Sequence, residues 1–230
     1  EVVAGIGGPL GGHIQAFRKD GSSVTGFPVN VGKYPMSPTL SDLDDNGTME
    51  IILGTRTGQA FVYKGDGTVY PGWPIQMDRY VGASASAGDV NNDGIMDVVM
   101  ESRNLLYVWN KDGQLLPGFP FAILDSLVGS NSYSAPVLVD LTGDGKLEIV
   151  FCSHSDVTNA GGIIYGVKHD GTNLPGFPKT VPNWIYGAPI VADIDGDSQL
   201  EIIIGEYGSS PTPYFSIFAY NILSLLLFIP

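Results

Sequence analysis

The sequence predicts an all-β fold: a β-propeller of four-stranded antiparallel blades, about five in these 230 residues, complete in themselves or part of a larger ring. Three observations lead there. An acidic segment recurs four times, as SDLDDNGTMEIILG (41–54), GDVNNDGIMDVVME (88–101), VDLTGDGKLEIVFC (139–152) and ADIDGDSQLEIIIG (192–205), with leading acids 47, 51 and 53 residues apart. A second landmark is Asp-Gly followed by Gly-aromatic-Pro. From Asp20, Asp66, Asp112 and Asp170 to the first Gly of the triplets 26–28, 72–74, 118–120 and 176–178 is six residues each time. Lastly, 31 Gly and 16 Pro make up about a fifth of the chain, which suits many short strands joined by tight turns.

Within one unit every local signal is β. In the third, Ala135 to Val139 is a short apolar run, followed by an acidic turn and then by Leu147 to Phe151. Gly162 to Val167 reads as the next strand, and Asp170-Gly171 as a hairpin turn. Leu174 to Pro178 closes the unit, its prolines confining it to an outer edge. The repeats divide the chain at about 1–33, 34–79, 80–132, 133–185 and 186–230, and strand counting gives three strands and then four units of four, 19 in all. Glu1 to Gly5 matches Glu201 to Gly205, so the chain is expected to start just after an acidic loop. The uncharged stretch from Tyr214 to Pro230 reaches only the lower limit of a membrane span. Because Ile217 to Asn221 matches Ile164 to Lys168, it is read as strand, and no membrane insertion is expected.

The formal charge of −13, from 24 acids and 11 Lys plus Arg, argues against nucleic acid and an anionic membrane surface as partners, since both require clustered cations. Cys152 is the only cysteine, so neither an intrachain disulfide nor a thiolate metal cluster can form. It follows the run Ile149-Val150-Phe151 and reads as a small core residue.

The acids concentrate in the repeated loops, numbered here from the leading Asp as position 1. The first supplies Asp42, Asp44, Asn46, Thr48 and Glu50 at positions 1, 3, 5, 7 and 9, and the second Asp89, Asn91, Asp93, Ile95 and Asp97. The third supplies Asp140, Thr142, Asp144, Lys146 and Glu148, and the fourth Asp193, Asp195, Asp197, Gln199 and Glu201. Hard cations take six to eight oxygens, and alternate positions of a tight turn converge on one centre, with position 7 offering a backbone carbonyl. Glycine at position 6 permits the positive-φ bend of such a loop; the fourth has Ser198 there. The alternative is solvated Asx turns, but three or four acids in each of four loops would repel one another without a cation. Up to four structural Ca²⁺ ions are therefore expected. Their eight positive charges would bring the formal charge from −13 to −5.

These loops, preceded by Tyr133-Ser134-Ala135-Pro136 and Tyr186-Gly187-Ala188-Pro189, resemble the FG-GAP/VCBS repeats of integrin α-subunit-type Ca²⁺-binding propellers. The Gly-aromatic-Pro triplets are similar to those of secreted microbial FG-GAP proteins. The resemblance implies Ca²⁺ loops joining the first two strands of each blade on one face, and ligands met by loops of the opposite face. Ala85 stands where the motif has Pro, and the tail is degenerate. The expectation is an extracellular, secreted or surface-exposed adhesion module binding protein or carbohydrate. The alternative is the propeller domain of a secreted polysaccharide lyase or hydrolase.

Tyrosines precede the loops at similar distances: Tyr34, Tyr80, Tyr133 and Tyr186, with Trp184 nearby. The polar insertion 153–162 adds His154 and Asp156. Tyr133, His154, Asp156, Trp184 and Tyr186 are expected to gather on the face away from the Ca²⁺ loops as a ligand site. No catalytic set can be assembled, since the well-placed acids belong to the loops.

Overall fold

The computed structural model describes residues 1–103, 105–123, 130–131, 134–155, 161–208 and 214–221, all of them strands, turns and connections without a helix. Five antiparallel sheets follow in chain order. The first holds β1 (Val2–Gly8), β2 (Gly11–Phe17) and β3 (Val29–Gly32). The second holds β4 (Thr39–Ser41), β5 (Glu50–Gly54), β6 (Gln59–Tyr63) and β7 (Ile75–Gln76). The third holds β8 (Ser86–Gly88), β9 (Asp97–Glu101), β10 (Leu105–Trp109) and β11 (Phe121–Ala122). The fourth holds β12 (Ser130–Asn131), β13 (Val137–Val139), β14 (Glu148–Ser155), β15 (Gly162–Val167) and β16 (Lys179–Val181). The fifth holds β17 (Trp184–Ile185), β18 (Ile190–Ala192), β19 (Glu201–Gly208) and β20 (Tyr214–Asn221).

Among the described residues that is 20 strands, against the 19 expected. Two are added, because the segment entering each unit pairs with the far end of the second strand, and the outer strand expected in the tail falls outside the described residues. In the second and third sheets this is a single bridge, Pro35 to Thr55 and Val81 to Ser102. In the fourth and fifth it lengthens into β12 and β17, which begin ahead of the expected boundaries at 133 and 186. Ile217 to Asn221 falls in β20 and pairs with β19 as the repeat requires; residues 222–230 of the apolar tail lie outside the described part.

The central strands are continuous apolar runs because both of their faces are covered. Along β5, Ile51 and Leu53 join Ile14, Val31, Phe61 and Tyr63 in a cluster with the first sheet, whereas Ile52 turns the other way. There it meets Val98, Met100, Tyr107 and Trp109 of the third sheet. Val99, Leu106 and Val108 point onward to Ile149, Phe151 and Tyr165, and Val150, Cys152 and Ile164 to Ile202 and Ile204. The period of two thus deals alternate residues to alternate neighbours, and each sheet is cemented to the next. Each aliphatic side chain so buried contributes about 1.5–3 kcal/mol.

The outer strand is interrupted. After the Asp-Gly turn the chain makes one bridge back to the third strand, as in Tyr63 to Val69 and Trp109 to Leu115. It then swings out through the Gly-aromatic-Pro triplet before β7 or β11 resumes pairing, so the triplet precedes the outer strand rather than forming it. The excursion reaches the next sheet. A Cβ on Gly26 would stand 1.9 Å from the Asp66 carbonyl oxygen, one on Gly72 2.1 Å from that of Asp112, and one on Gly118 1.9 Å from that of Asp170. The aromatic beside each glycine enters the same junction: Trp73 lies edge-on to Trp109 at 5.5 Å and donates its Nε1–H to the Lys111 carbonyl at 2.9 Å. Phe119 and Phe177 occupy the corresponding clusters one and two sheets on.

Gly118 tests this interlock, because it combines φ +89° with backbone contact, whereas Gly21 has φ +84° and nothing within 4 Å. Gly118→Ala should cost about 3 kcal/mol in urea unfolding, strain plus overpacking, and Gly21→Ala about 1 kcal/mol of strain alone. Equal costs would mean that the glycine serves only its own turn.

Candidate metal centres

The strand register sets each acidic loop. Ser41 pairs with Glu50, Gly88 with Asp97, Val139 with Glu148 and Ala192 with Glu201. The residue before position 1 therefore always faces position 9, and the intervening residues must turn within that span.

They do so by one hydrogen-bond pattern. The leading carboxylate accepts backbone N–H groups from inside the loop: Asn46 and Gly47 to Asp42 at 3.0 and 2.8 Å, and Asp93 and Gly94 to Asp89 at 2.9 and 2.7 Å. Asp140 accepts from Gly143 and Gly145, and Asp193 from Gly196 and Ser198. Position 5 accepts the N–H of position 7 in all four, through Asn46, Asp93, Asp144 and Asp197. The closing acid accepts the N–H of position 2: Leu43 to Glu50 at 2.9 Å, Val90 to Asp97 at 3.0 Å, Leu141 to Glu148 at 2.8 Å and Ile194 to Glu201 at 3.0 Å.

Two positions of each loop have positive φ. At position 6 these are Gly47, Gly94, Gly145 and, at +68°, Ser198. At position 4 they are Asp45, Asn92, Gly143 and Gly196. The second bend is not anticipated from the motif, although all four residues are of the types that tolerate the left-handed region.

The electrostatics are unfavourable for a bare loop. All four closing acids are buried. Burial first, then the nearby Asp93 and Asp89, push Asp97 up to about 7, and burial also raises Glu50 and Glu148. One oxygen of Asp97 (Oδ1) and one of Glu148 (Oε1) are buried without a hydrogen-bond partner. Carboxylate oxygens of Asp42, Asp44 and Glu50 lie within 4.8 Å of one another, as do those of Asp193, Asp195 and Asp197. Position 3 is Asn91 in the second loop and Thr142 in the third, which leaves each of those loops without an acid at that position. Asn91 turns its amide to Asp93 at 2.9 Å, Tyr70 donates its hydroxyl to Asp44 at 3.1 Å, and the Lys146 ammonium leaves its loop for His169 Nε2 at 3.0 Å. The loops are neighbours: Leu147 N–H bonds the Val90 carbonyl at 3.1 Å, and clefts separate the first loop from the second and the third from the fourth.

The five residues expected to form a ligand site are only partly described. Tyr133 and Asp156 lie outside the described residues. His154 is known by its backbone, paired with Asn131 and Gly162 at the end of β14 away from its acidic loop. A Cβ on Gly162 would touch Ile185, so Trp184 stands at that same end. Trp184 and Tyr186 meet edge-on with ring centres 6.1 Å apart, and Tyr186 lies 6.1 Å from Tyr207. Two contacts missed at the sequence level occur at equivalent places: Arg56 covers the Tyr34 ring at 5.9 Å and Arg103 the Tyr80 ring at 6.0 Å. Cys152 is buried and its thiol pushed up by desolvation, with Glu101 adding to the shift, which removes it as a nucleophile. Among the described residues no helix is long and apolar enough to cross a membrane.

Solved structures share this architecture. The V. cholerae biofilm matrix protein Bap1 superposes with a TM-score of 0.62 at 19% identity, over 93% of this chain and 33% of that one. The C-terminal domain of Pseudomonas aeruginosa PilY1 gives 0.62 at 14% identity, over 95% and 57%. BBS1N, solved in complex with ARL6DN, gives 0.54 at 12% identity, over 90% and 59%. The chain thus spans a third of the first structure's length and less than three fifths of the other two. No curated protein matches it in sequence. The model of the FG-GAP-like repeat matches residues 42–100. That span holds the first two acidic loops, and over it the chain is similar to FG-GAP-like repeats.

Proposed function

We propose that this chain is a Ca²⁺-ordered β-propeller, or a sector of one with about five blades, that serves outside the cell as an adhesion or ligand-binding module. The observation that carries the Ca²⁺ reading is the buried, unpartnered oxygen of Asp97 and of Glu148 within loops whose other carboxylates already satisfy the backbone. A buried carboxylate oxygen without a donor is costly, and a hard cation removes that cost. Positions 1, 3, 5 and 9, with the carbonyl of position 7, would hold it; its chemistry is charge neutralisation and cross-linking of the turn, not catalysis. In the first and fourth loops the converging carboxylates fit such an ion best. Stacked sheets cemented in chain order support the propeller. The FG-GAP-like repeat and the likeness to a biofilm matrix protein support the extracellular binding role. The ligand, protein or carbohydrate, would meet the connections at the end away from the loops.

Ca²⁺ at about a hundred times its dissociation constant should stabilise the fold by about 2.7 kcal/mol per occupied site, with EDTA reversing the gain and Mg²⁺ substituting poorly. Asp97→Asn separates the terms. Without Ca²⁺ it should be neutral or stabilising, since it removes a desolvated charge beside Asp93 and Asp89; with Ca²⁺ it should lose the increment of one site. A melt indifferent to Ca²⁺ and EDTA, with no bound calcium by elemental analysis, would sink the metal reading. For the binding role, the immobilised chain should retain extracellular polymer in Ca²⁺ buffer without degrading it. Turnover of that polymer would replace adhesion with catalysis.

Ser198 gives a further check, because a side chain at φ +68° is strained. Ser198→Gly should stabilise by up to about 1 kcal/mol and tighten Ca²⁺ binding at the fourth loop. A loss of stability would mean that the serine side chain has a use of its own there.

A further inference from the structure

The geometry points to a basic, aromatic surface on the second and third sheets, at the end away from the acidic loops, that takes a carboxylated polysaccharide. The inference rests on the reading above that ligand meets that end, and adds the chemistry. Four short segments meet there. The Arg56 N–H bonds the Tyr34 carbonyl at 3.1 Å, and the Val81 N–H bonds the Thr55 carbonyl at 3.1 Å. A Cβ on Gly58 would touch the Arg79 carbonyl at 2.7 Å. Val81 in turn bridges to Ser102. Lys33, Arg56, Arg79 and Arg103 are thereby gathered in a chain whose formal charge is −13.

Two described acids share these segments, and the exposed Asp78 offsets one of the four cations. Glu101 is buried, and Asp78 accepts from Ser102 Oγ at 2.6 Å and Tyr107 OH at 3.1 Å. Lys64, Lys111 and Lys146, by contrast, sit at the loop end: Lys64 is felt by Glu50, Lys111 lines the first cleft and Lys146 belongs to the third loop. A second observation is the backbone of Tyr34. It lies at φ 52°, a conformation unfavourable for an aromatic residue, and the residue is more than a third exposed with Arg56 over its ring. Tyr80 and Arg103 repeat the pairing one unit on.

A planar guanidinium beside an aromatic face suits one ligand chemistry in particular. The ring stacks on the apolar face of a sugar, and the guanidinium takes the sugar's carboxylate through two parallel hydrogen bonds. A neutral glycan would leave the cations unused, and two pairs on successive units suit a polymer whose charge repeats along its length.

The test is titration of the intact chain, in Ca²⁺ buffer, with short polygalacturonate oligomers, their methyl esters and single-stranded DNA of matched charge. The oligomers should bind, weaken as salt rises, and exceed the esters and the DNA by about tenfold or more. Arg56→Gln and Arg103→Gln should each weaken binding by about tenfold, and Tyr34→Asn, which suits the backbone better, should weaken it while leaving the melt unchanged or raised. Lys19→Gln, which removes a positive charge beside the Asp20-Gly21 turn at the loop end, should leave binding as it is. Esters binding as well as acids, or DNA as well as uronate, would overturn the carboxylate assignment while leaving the ligand end intact if Tyr34→Asn still weakens binding. Loss with Lys19→Gln but none with Arg56→Gln would overturn the ligand end itself, and absence of binding by every probe would overturn the inference.

Discussion

The stacking of the sheets depends on one close approach, backbone against backbone, between the triplet glycine of one unit and the Asp-Gly turn of the next. Gly72 against Asp112 and Gly118 against Asp170 leave no room for a Cβ. The partner glycines, Gly113 and Gly171, meet the same contact from the other side. Six residues separate turn from triplet because the chain must make its bridge to the third strand and then project to the neighbouring sheet before pairing again. With the sheets held at this spacing, both faces of β5, β9 and β14 are covered. A surface-exposed sheet would need polar residues at alternate positions; Ile51-Ile52-Leu53 and Val98-Val99-Met100 have none.

The acidic loops follow from the same register but work against stability on their own. The acid at position 9 accepts the position 2 N–H, and the pairing that places it there also buries it. Each loop therefore concentrates carboxylates around a desolvated one. A fold retains such a feature where something outside the chain compensates it, which gives the calcium reading its physical basis.

Much of this was legible in the sequence, for particular reasons. The loops and triplets announce themselves because Gly, Pro and Asp at fixed spacing have few other uses, and the strand sequence follows from the runs between them. The strand count missed the entry segments, because a two-residue strand such as β12 or β17 has no periodicity to read. Proline signals an edge without saying which residues pair, so from sequence the triplet reads as the outer strand that it precedes. Two kinds of contact were invisible for a deeper reason. That Gly118 serves Asp170 and Arg56 serves Tyr34 depends on which segments the stacking brings together, and residue type alone does not report that.

The net charge of −13 gives an incomplete picture of the molecule. Acids accumulate where the first strand turns into the second, and four of the 11 basic residues gather where the second turns into the third. The acidic accumulation recurs in four units and the basic one in two, since equivalent positions of stacked sheets fall at the same end. A repeat architecture therefore amplifies small local preferences into a polarity along the strands, and the two ends can serve different purposes. The loop end has the chemistry to hold cations, while the far end, where loop lengths and residues differ most between units, brings basic residues beside aromatic rings. Strands β5 and β9 each run from an acidic loop, to Arg56 and Arg103 respectively, so the two ends are joined by the strands most deeply buried in the stack.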